Sequence, residues 1–207
     1  MCREPHKRGH IIVAGLSDVL IIVIFIAVAI LVWGVTAYNR LVKRREHVRE
    51  GWSGMDVQLK RRSNVVGNLV NTVKGYVKHE REALEAVTEM RARAMAAADA
   101  NGDPTGAADR QHAEGELSTA LIRLFAVAEN YPDLKADGTF LELQRALSEL
   151  EDEIQMARRY YNGCVRNLNT MIDSVPSNII AGKFNFQPAE YYEVDHAAER
   201  MLPRVSF

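Results

Sequence analysis

Cysteine is nearly absent from this chain. Only Cys2 and Cys164 occur among 207 residues, too few for a framework of disulfides. Cys164 falls inside an apolar repeat, where a thiol acts as a small hydrophobe. Cys2 stands too early to carry a lipid, and no lipid-attachment box precedes either cysteine. Proline and glycine are sparse, at 6 and 13 residues, while Ala, Leu, Val, Glu and Arg are common. That balance disfavours a β-sandwich or a disordered chain and favours helices. An excess of one charge is also missing. With 26 basic and 27 acidic residues the net charge is -1, so no global pull toward nucleic acid or a basic partner exists. The length allows one domain with appendages.

Catalytic patterns are missing as well. No strand pattern is present, and so no Gly-rich phosphate loop follows a strand. No Ser or Cys sits in a nucleophile turn, and nucleophilic catalysis needs nucleophile, base and orienting group together. His79-Glu80 is followed by Ala83 where a helical zinc protease places its second histidine. A di-iron bundle wants two Glu-x-x-His motifs on facing helices. The chain holds one, Glu193 to His196, in its tail. A helical carboxylate-metal enzyme is therefore the remotest functional reading, separable from the others by metal analysis. No cofactor motif is present. His47 and His112 are scattered and read as solvent-exposed.

One long hydrophobic run is present. Val19 to Ala37 contains no charge and is mostly Ile, Val, Leu, Phe and Ala. About 20 such residues cross a hydrocarbon core as a helix. Trp33 and Tyr38 lie near one end, where amphipathic rings favour the interface. A cleaved signal peptide needs a shorter apolar region of about 7–15 residues and a small-residue cleavage site. This run is longer and leads straight into Arg40, Lys43, Arg44 and Arg45. The organisation expected is a tail over 1–17, a transmembrane helix over 18–38, a helical bundle over 39–176 and a C-terminal tail over 177–207. The basic run beside the membrane attracts anionic lipid and sets topology. Arg40, Lys43, Arg44, Arg45 and Arg49 outnumber Arg3, Lys7 and Arg8. The N-terminus is thus expected outside and the bundle in the cytoplasm.

The soluble part is organised around a second repeat. Phe140, Leu143, Leu147, Leu150, Ile154, Ala157, Tyr161, Cys164, Leu168, Met171 and Val175 recur at alternating steps of three and four. That is a heptad seam, on a helix reaching about 55 Å. It needs a partner of similar length, either the rest of the chain or a second copy in a homo-oligomer. Trp52, Met55, Leu59, Val66, Leu69 and Val73 form another stripe. Nothing between Tyr38 and Glu50 stops a helix, so the membrane helix is expected to run into this one without a joint. Further helices are expected from about Glu80 to Ala100 and from Ala107 to Asn130. Loops near Gly102 and Pro132 separate them. The fold class expected is all-α, an antiparallel bundle of long helices behind a transmembrane helix.

Polar residues interrupt these helices. Asn64, Asn68 and Asn71 share one face, and Asn162 and Asn169 sit beside the seam. They read as solvated or register-setting amides between helices, or as a binding groove. Lys60-Arg61-Arg62 reads as a solvated face. The tail carries Phe184, Phe186, Tyr191 and Tyr192 beside Lys183. Counting helix directions brings it back toward the membrane, where its rings either cap the bundle or meet lipid.

Two stretches carry a resemblance. "WSGMDVQLKRRSNVVGNLVNTVKGYVKHEREALEAVTEMRARA" (52–94) is similar to the LemA family. So is "AVAENYPDLKADGTFLELQRALSELEDEIQMARRYYNGCVRNLNTMIDSVPSNIIAGKFNF" (126–186). "DVQLKRR", "NLVNTVKGY", "YPDLKA", "ARRYYN" and "PSNIIAGKF" follow one another in order and at the family's distances. Gly67 departs from the pattern, since many members have proline there. The resemblance implies an anchor in the bacterial inner membrane, an antiparallel cytoplasmic bundle and no enzymatic activity. Relatives in magnetic bacteria that help build magnetosome membranes imply membrane scaffolding. The functions to weigh are therefore a non-enzymatic scaffold or adaptor and a membrane-shaping protein. The partners expected are the lipid bilayer and a membrane or cytoplasmic protein, with no nucleic acid.

Overall fold

The computed structural model describes residues 7–77, 80–100 and 104–193. Helix α1 is Lys7–Tyr76, α2 Arg81–Ala100, α3 Ala107–Ala128, α4 Pro132–Lys135, α5 Gly138–Asp173 and α6 Ser177–Lys183. No strand occurs among the described residues, so the all-α expectation holds. His79, the Gly102 loop, His196 and the rest of the tail from Val194 lie outside the described residues, as do Cys2 and Arg3.

Helix α1 is continuous for 70 residues. It contains no proline, and the expected joint-free passage from apolar run to soluble helix is what forms. Gly67 does not interrupt it. A side chain at Gly67 would meet the guanidinium of Arg91 at 3.0 Å. Arg91 Nε donates to the Ser63 carbonyl at 2.7 Å. Ser63 is four residues before Gly67, so its carbonyl is the one that a proline at 67 would leave without a helical donor.

The chain divides into two compact units. One gathers the chain up to Lys43 with Met171–Gln187, the other Arg44–Thr170 with the chain from Pro188. In the second, Asp56 and Arg62 of α1 face Arg110 and Glu114 of α3 in the same order, so α1 and α3 run parallel. Ser63 meets Arg91, and Lys74 lies beside Arg81 and Leu84, so α2 runs against α1. Trp52 packs on Tyr161, Arg61 pairs with Glu153 and Tyr76 with Asp137, so α5 also runs against α1. Val66, Leu69 and Val73 of α1 share one core with Leu84, Val87, Leu117, Leu121, Leu124, Leu134, Phe140 and Leu147.

The α5 seam faces that interior. Leu147, Leu150, Ile154, Tyr161, Cys164 and Leu168 are buried, and Leu143 is partly buried against the core. Val175 corrects the sequence reading. It lies beyond the end of α5 and is 79% exposed, so the last step of the repeat leaves the interior. The α5 start is built locally. Asp137 Oδ1 accepts the Phe140 N–H at 2.8 Å, an N-cap. The Tyr76 hydroxyl donates to its other oxygen at 2.7 Å.

In the first unit, α1 carries one stretch long and apolar enough to cross a membrane. Its side chains from Val19 to Val35 stand open, Phe25 at 74% exposure. The helix becomes buried only at Ala37 and Leu41.

Candidate functional site

Charge is buried inside the bundle. Arg62, Arg110 and Glu114 are each less than a twentieth exposed. Arg62 Nη1 donates to Glu114 Oε2 at 3.2 Å and Nη2 to Ser118 Oγ at 2.8 Å. Nη2 also reaches Glu151 Oε1 at 2.8 Å. Arg110 Nε donates to Glu114 Oε1 at 3.1 Å, and its Nη2 lies 3.7 Å from Asp56. Glu114 thus bridges two guanidiniums with its two oxygens. Burial pushes its carboxyl above the ordinary value, and Arg62 and Arg110 pull against that. Such a knot holds α1, α3 and α5 in one relative register, because leaving any member unpaired in the interior is costly. Arg62 corrects the sequence reading of Lys60-Arg61-Arg62 as a solvated face. Lys60 and Arg61 are exposed, and Arg62 is not.

The asparagines separate into two groups. Asn64, Asn68 and Asn71 are exposed, so they set no register inside the bundle. With Gly67, Lys74, Thr88 and Arg91 they border a polar groove of about 400 Å³ between α1 and α2. Asn162 and Asn169 do something else. Asn162 donates to the Tyr192 carbonyl and accepts the Tyr192 N–H, both at 2.9 Å. Asn169 makes the same pair with Ala189, again at 2.9 Å. The Tyr161 hydroxyl donates to the Glu190 carbonyl at 2.8 Å. Each amide side chain therefore satisfies both backbone groups of one tail residue. The expected interhelix role of Asn162 is corrected to a clasp on the tail, since that tail's extended backbone has no ladder partner of its own. Tyr192, held this way, is buried beside Trp52, with ring centroids 6.4 Å apart. Burial raises the pKa of both Tyr161 and Tyr192.

The other unit places rings at the end of the apolar run. Phe184 and Phe186 lie 4.8 and 5.8 Å, centroid to centroid, from Tyr38. Helix α6 ends in a left-handed residue, Asn185, at φ 54°. The Phe186 N–H returns to the Ala181 carbonyl at 2.9 Å and the Asn185 N–H to Gly182 at 3.3 Å. This is a Schellman end, and it turns Phe186 back onto α1. Ile180 of α6 comes within 3.8 Å of a side-chain position at Gly34. Trp33, Tyr38, Arg40 and Lys43 are all exposed here, and Arg44 and Arg45 are exposed at the start of the other unit. Among the described residues, no group of three or more His, Cys, Asp or Glu side chains is placed to hold a metal ion.

A model of the LemA family matches residues 51–207, three quarters of the chain. The chain belongs to the LemA family. Among proteins similar to it is magnetosome protein MamQ 2 of Paramagnetospirillum magneticum, 28% identical over 93% of this chain and 76% of that protein. Magnetosome protein MamQ of Magnetospirillum gryphiswaldense is 25% identical over the same shares. Protein LemA of Metamycoplasma hominis is 28% identical over 76% of this chain and 72% of its own.

The stretches that carry the LemA resemblance fall on the features described above. "DVQLKRR" holds Asp56 and Arg62 of the charge knot. "ARRYYN" holds Tyr161 and Asn162, which grip the tail. "PSNIIAGKF" is α6 with Phe184. What this LemA chain builds from these residues is thus a register lock, a tail clasp and a short helix packed on α1. Arg110 and Glu114, which lie between the two quoted stretches, complete the lock.

Proposed function

We propose that this LemA-family protein is a non-enzymatic, single-pass membrane scaffold that presents its helical bundle to the cytoplasm. The observation that carries the reading is the division of labour along α1. Its residues from Val19 to Trp33 expose hydrocarbon on every side, while its residues from Trp52 to Val73 bury a stripe in the bundle core. An apolar surface that large needs lipid around it, and a continuous helix satisfies its own backbone there. The polar groups of the interior go into holding helices and tail together, which suits a rigid display surface. The partners are the lipid bilayer and a membrane or cytoplasmic protein, with a second copy of the chain as a further candidate and no nucleic acid.

A second reading is favoured by relatives whose names place them in magnetosomes. On it, the protein shapes or helps build a membrane. Full-length protein reconstituted into liposomes separates the two. Photo-crosslinkers at exposed bundle positions such as Asn68, Arg93 and Ser148 are used on the same chain in its native membrane. Discrete protein adducts with spherical vesicles support the scaffold. Tubulated or constricted vesicles without adducts overturn it in favour of membrane shaping.

A further inference from the structure

Three features compete for an unassigned role: the groove at Asn68, the clasped tail and the outer side of α6. The last is the one the observations carry furthest. We propose that the segment from Val175 to Phe184 is a second membrane anchor, a short foot lying in the headgroup–acyl boundary beside α1. It rests on the reading of α1 as a membrane span.

The argument is one of depth, face and charge within a single unit. From Val19 to Tyr38 the helix rises about 29 Å, close to one hydrocarbon thickness. Midspan then falls near Val28. Gly34, which Ile180 touches, lies about 9 Å from it, and Tyr38, which Phe184 touches, about 15 Å. So α6 lies beside α1 at the level where acyl chains give way to headgroups. Its inner face is used, since Ala181 is buried and Ile180 is partly so. Its outer side is apolar and uncovered. Val175 is 79% exposed, Ile179 65% and Phe184 53%. Ile180 against Gly34 and Phe184 against Tyr38 set this short helix beside the open surface of α1 in the same unit, so the medium that covers one meets the other. Lys183 stands one turn beyond Ile179, where its stem can follow the apolar surface and its ammonium can reach a headgroup. Arg40 and Lys43 add two more exposed cations at this end of the unit, against the carboxylate of Asp173, while Asp18 stands at the far end of the span. The occupant that fits is a lipid monolayer with anionic headgroups.

The test uses the full-length chain in phosphatidylethanolamine–phosphatidylglycerol liposomes. Single cysteines carrying an environment-sensitive fluorophore are placed at Val175 and Ile179, with Ile26 for midspan and Ser148 for the bundle surface. The background is Cys2→Ser, Cys164→Ala. Phospholipids with a spin label high or low on the acyl chain act as quenchers. Ile179→Cys and Val175→Cys should be quenched several-fold more than Ser148→Cys, and more by the shallow label than the deep one. Ile26→Cys should show the reverse order of depth. Foot positions that behave like Ser148, with Ile26 quenched from within the bilayer, would overturn the foot and leave the span standing. Blue-shifted foot emission without quenching by either lipid would also overturn it, because protein then covers the face. An unquenched Ile26 would remove span and foot together.

Discussion

Glu114 is one side chain on which three helices depend. Glu114→Ala takes the shared carboxylate from the buried guanidiniums of Arg62 and Arg110, which then keep Ser118 and, at the edge of the interior, Glu151 and Asp56. Breaking a buried pair in this way costs about 3–5 kcal/mol. Glu114→Gln keeps the volume and an acceptor oxygen and should recover part of it. Urea unfolding of the detergent-solubilised chain checks this, and equal midpoints for Glu114→Ala and the parent would show that the knot is dispensable. The knot was half legible. Leu59, Arg62, Val66 and Leu69 recur at steps of three and four, as do Arg110, Ala113, Leu117 and Ala120. A charge standing at an apolar step is the signal for burial, and reading only the apolar members of each stripe passes over it. That these charges meet each other could not be read, because it depends on how three helices rotate about their axes. Gly67 belongs to the same lesson. Its meaning lies in Arg91, 24 residues away, whose guanidinium occupies the space a side chain would need.

Helices were more legible than single contacts, because each carries a periodicity long enough to outvote its exceptions. The seam of α5 marks its buried face from Phe140 to Leu168 and fails only at Val175, where the helix has already ended. Leu150→Ala should cost about 2–5 kcal/mol, and Leu150→Asp more, since it buries an unpaired charge. An unchanged melting temperature for Leu150→Asp would show that this face is not interior. The start of α5 makes a pH prediction. The Phe140 N–H and then the Tyr76 hydroxyl hold the Asp137 carboxyl below its ordinary value. A depressed carboxyl contributes stability above its unfolded value, about 3.9, and loses it as pH falls through the folded one. Asp137→Asn should therefore flatten the loss of stability below about pH 4, and parallel acid curves for variant and parent would refute it. The tail was the least legible element. The spacing of Asn162 and Asn169 places both on one face, but an extended segment around Pro188 has no period that would name it as their partner. Asn162→Ala with Asn169→Ala should speed hydrogen exchange at the amides of Ala189 and Tyr192 while sparing those of α3. Unchanged exchange at both amides would mean that the clasp does not hold the tail.

At the scale of the whole molecule, the open question is which side of the membrane the bundle occupies. Orientation follows the lysines and arginines close to the span, and carboxylates count for little. The ion pairs of Glu46 with Arg45 and Arg49 therefore do not cancel those arginines as topology signals. The C-terminal flank offers Arg40, Lys43, Arg44, Arg45 and Arg49 against Arg3, Lys7 and Arg8 before the span. A cytoplasmic bundle is the outcome expected. A reporter at Ser148, exposed on α5, reads it directly. Ser148→Cys, with the two native cysteines replaced, should resist a membrane-impermeant maleimide in intact cells and react once the membrane is opened. Ready labelling in intact cells would place the bundle outside. The margin is narrow enough to be tested in its own right. Arg40→Gln with Lys43→Gln leaves three basic residues on each side. If flanking charge decides the orientation, that variant should split into two populations, one labelled in intact cells and one protected. Full protection of the balanced variant would show that something other than this flank, such as the folding of the bundle itself, fixes the direction of insertion.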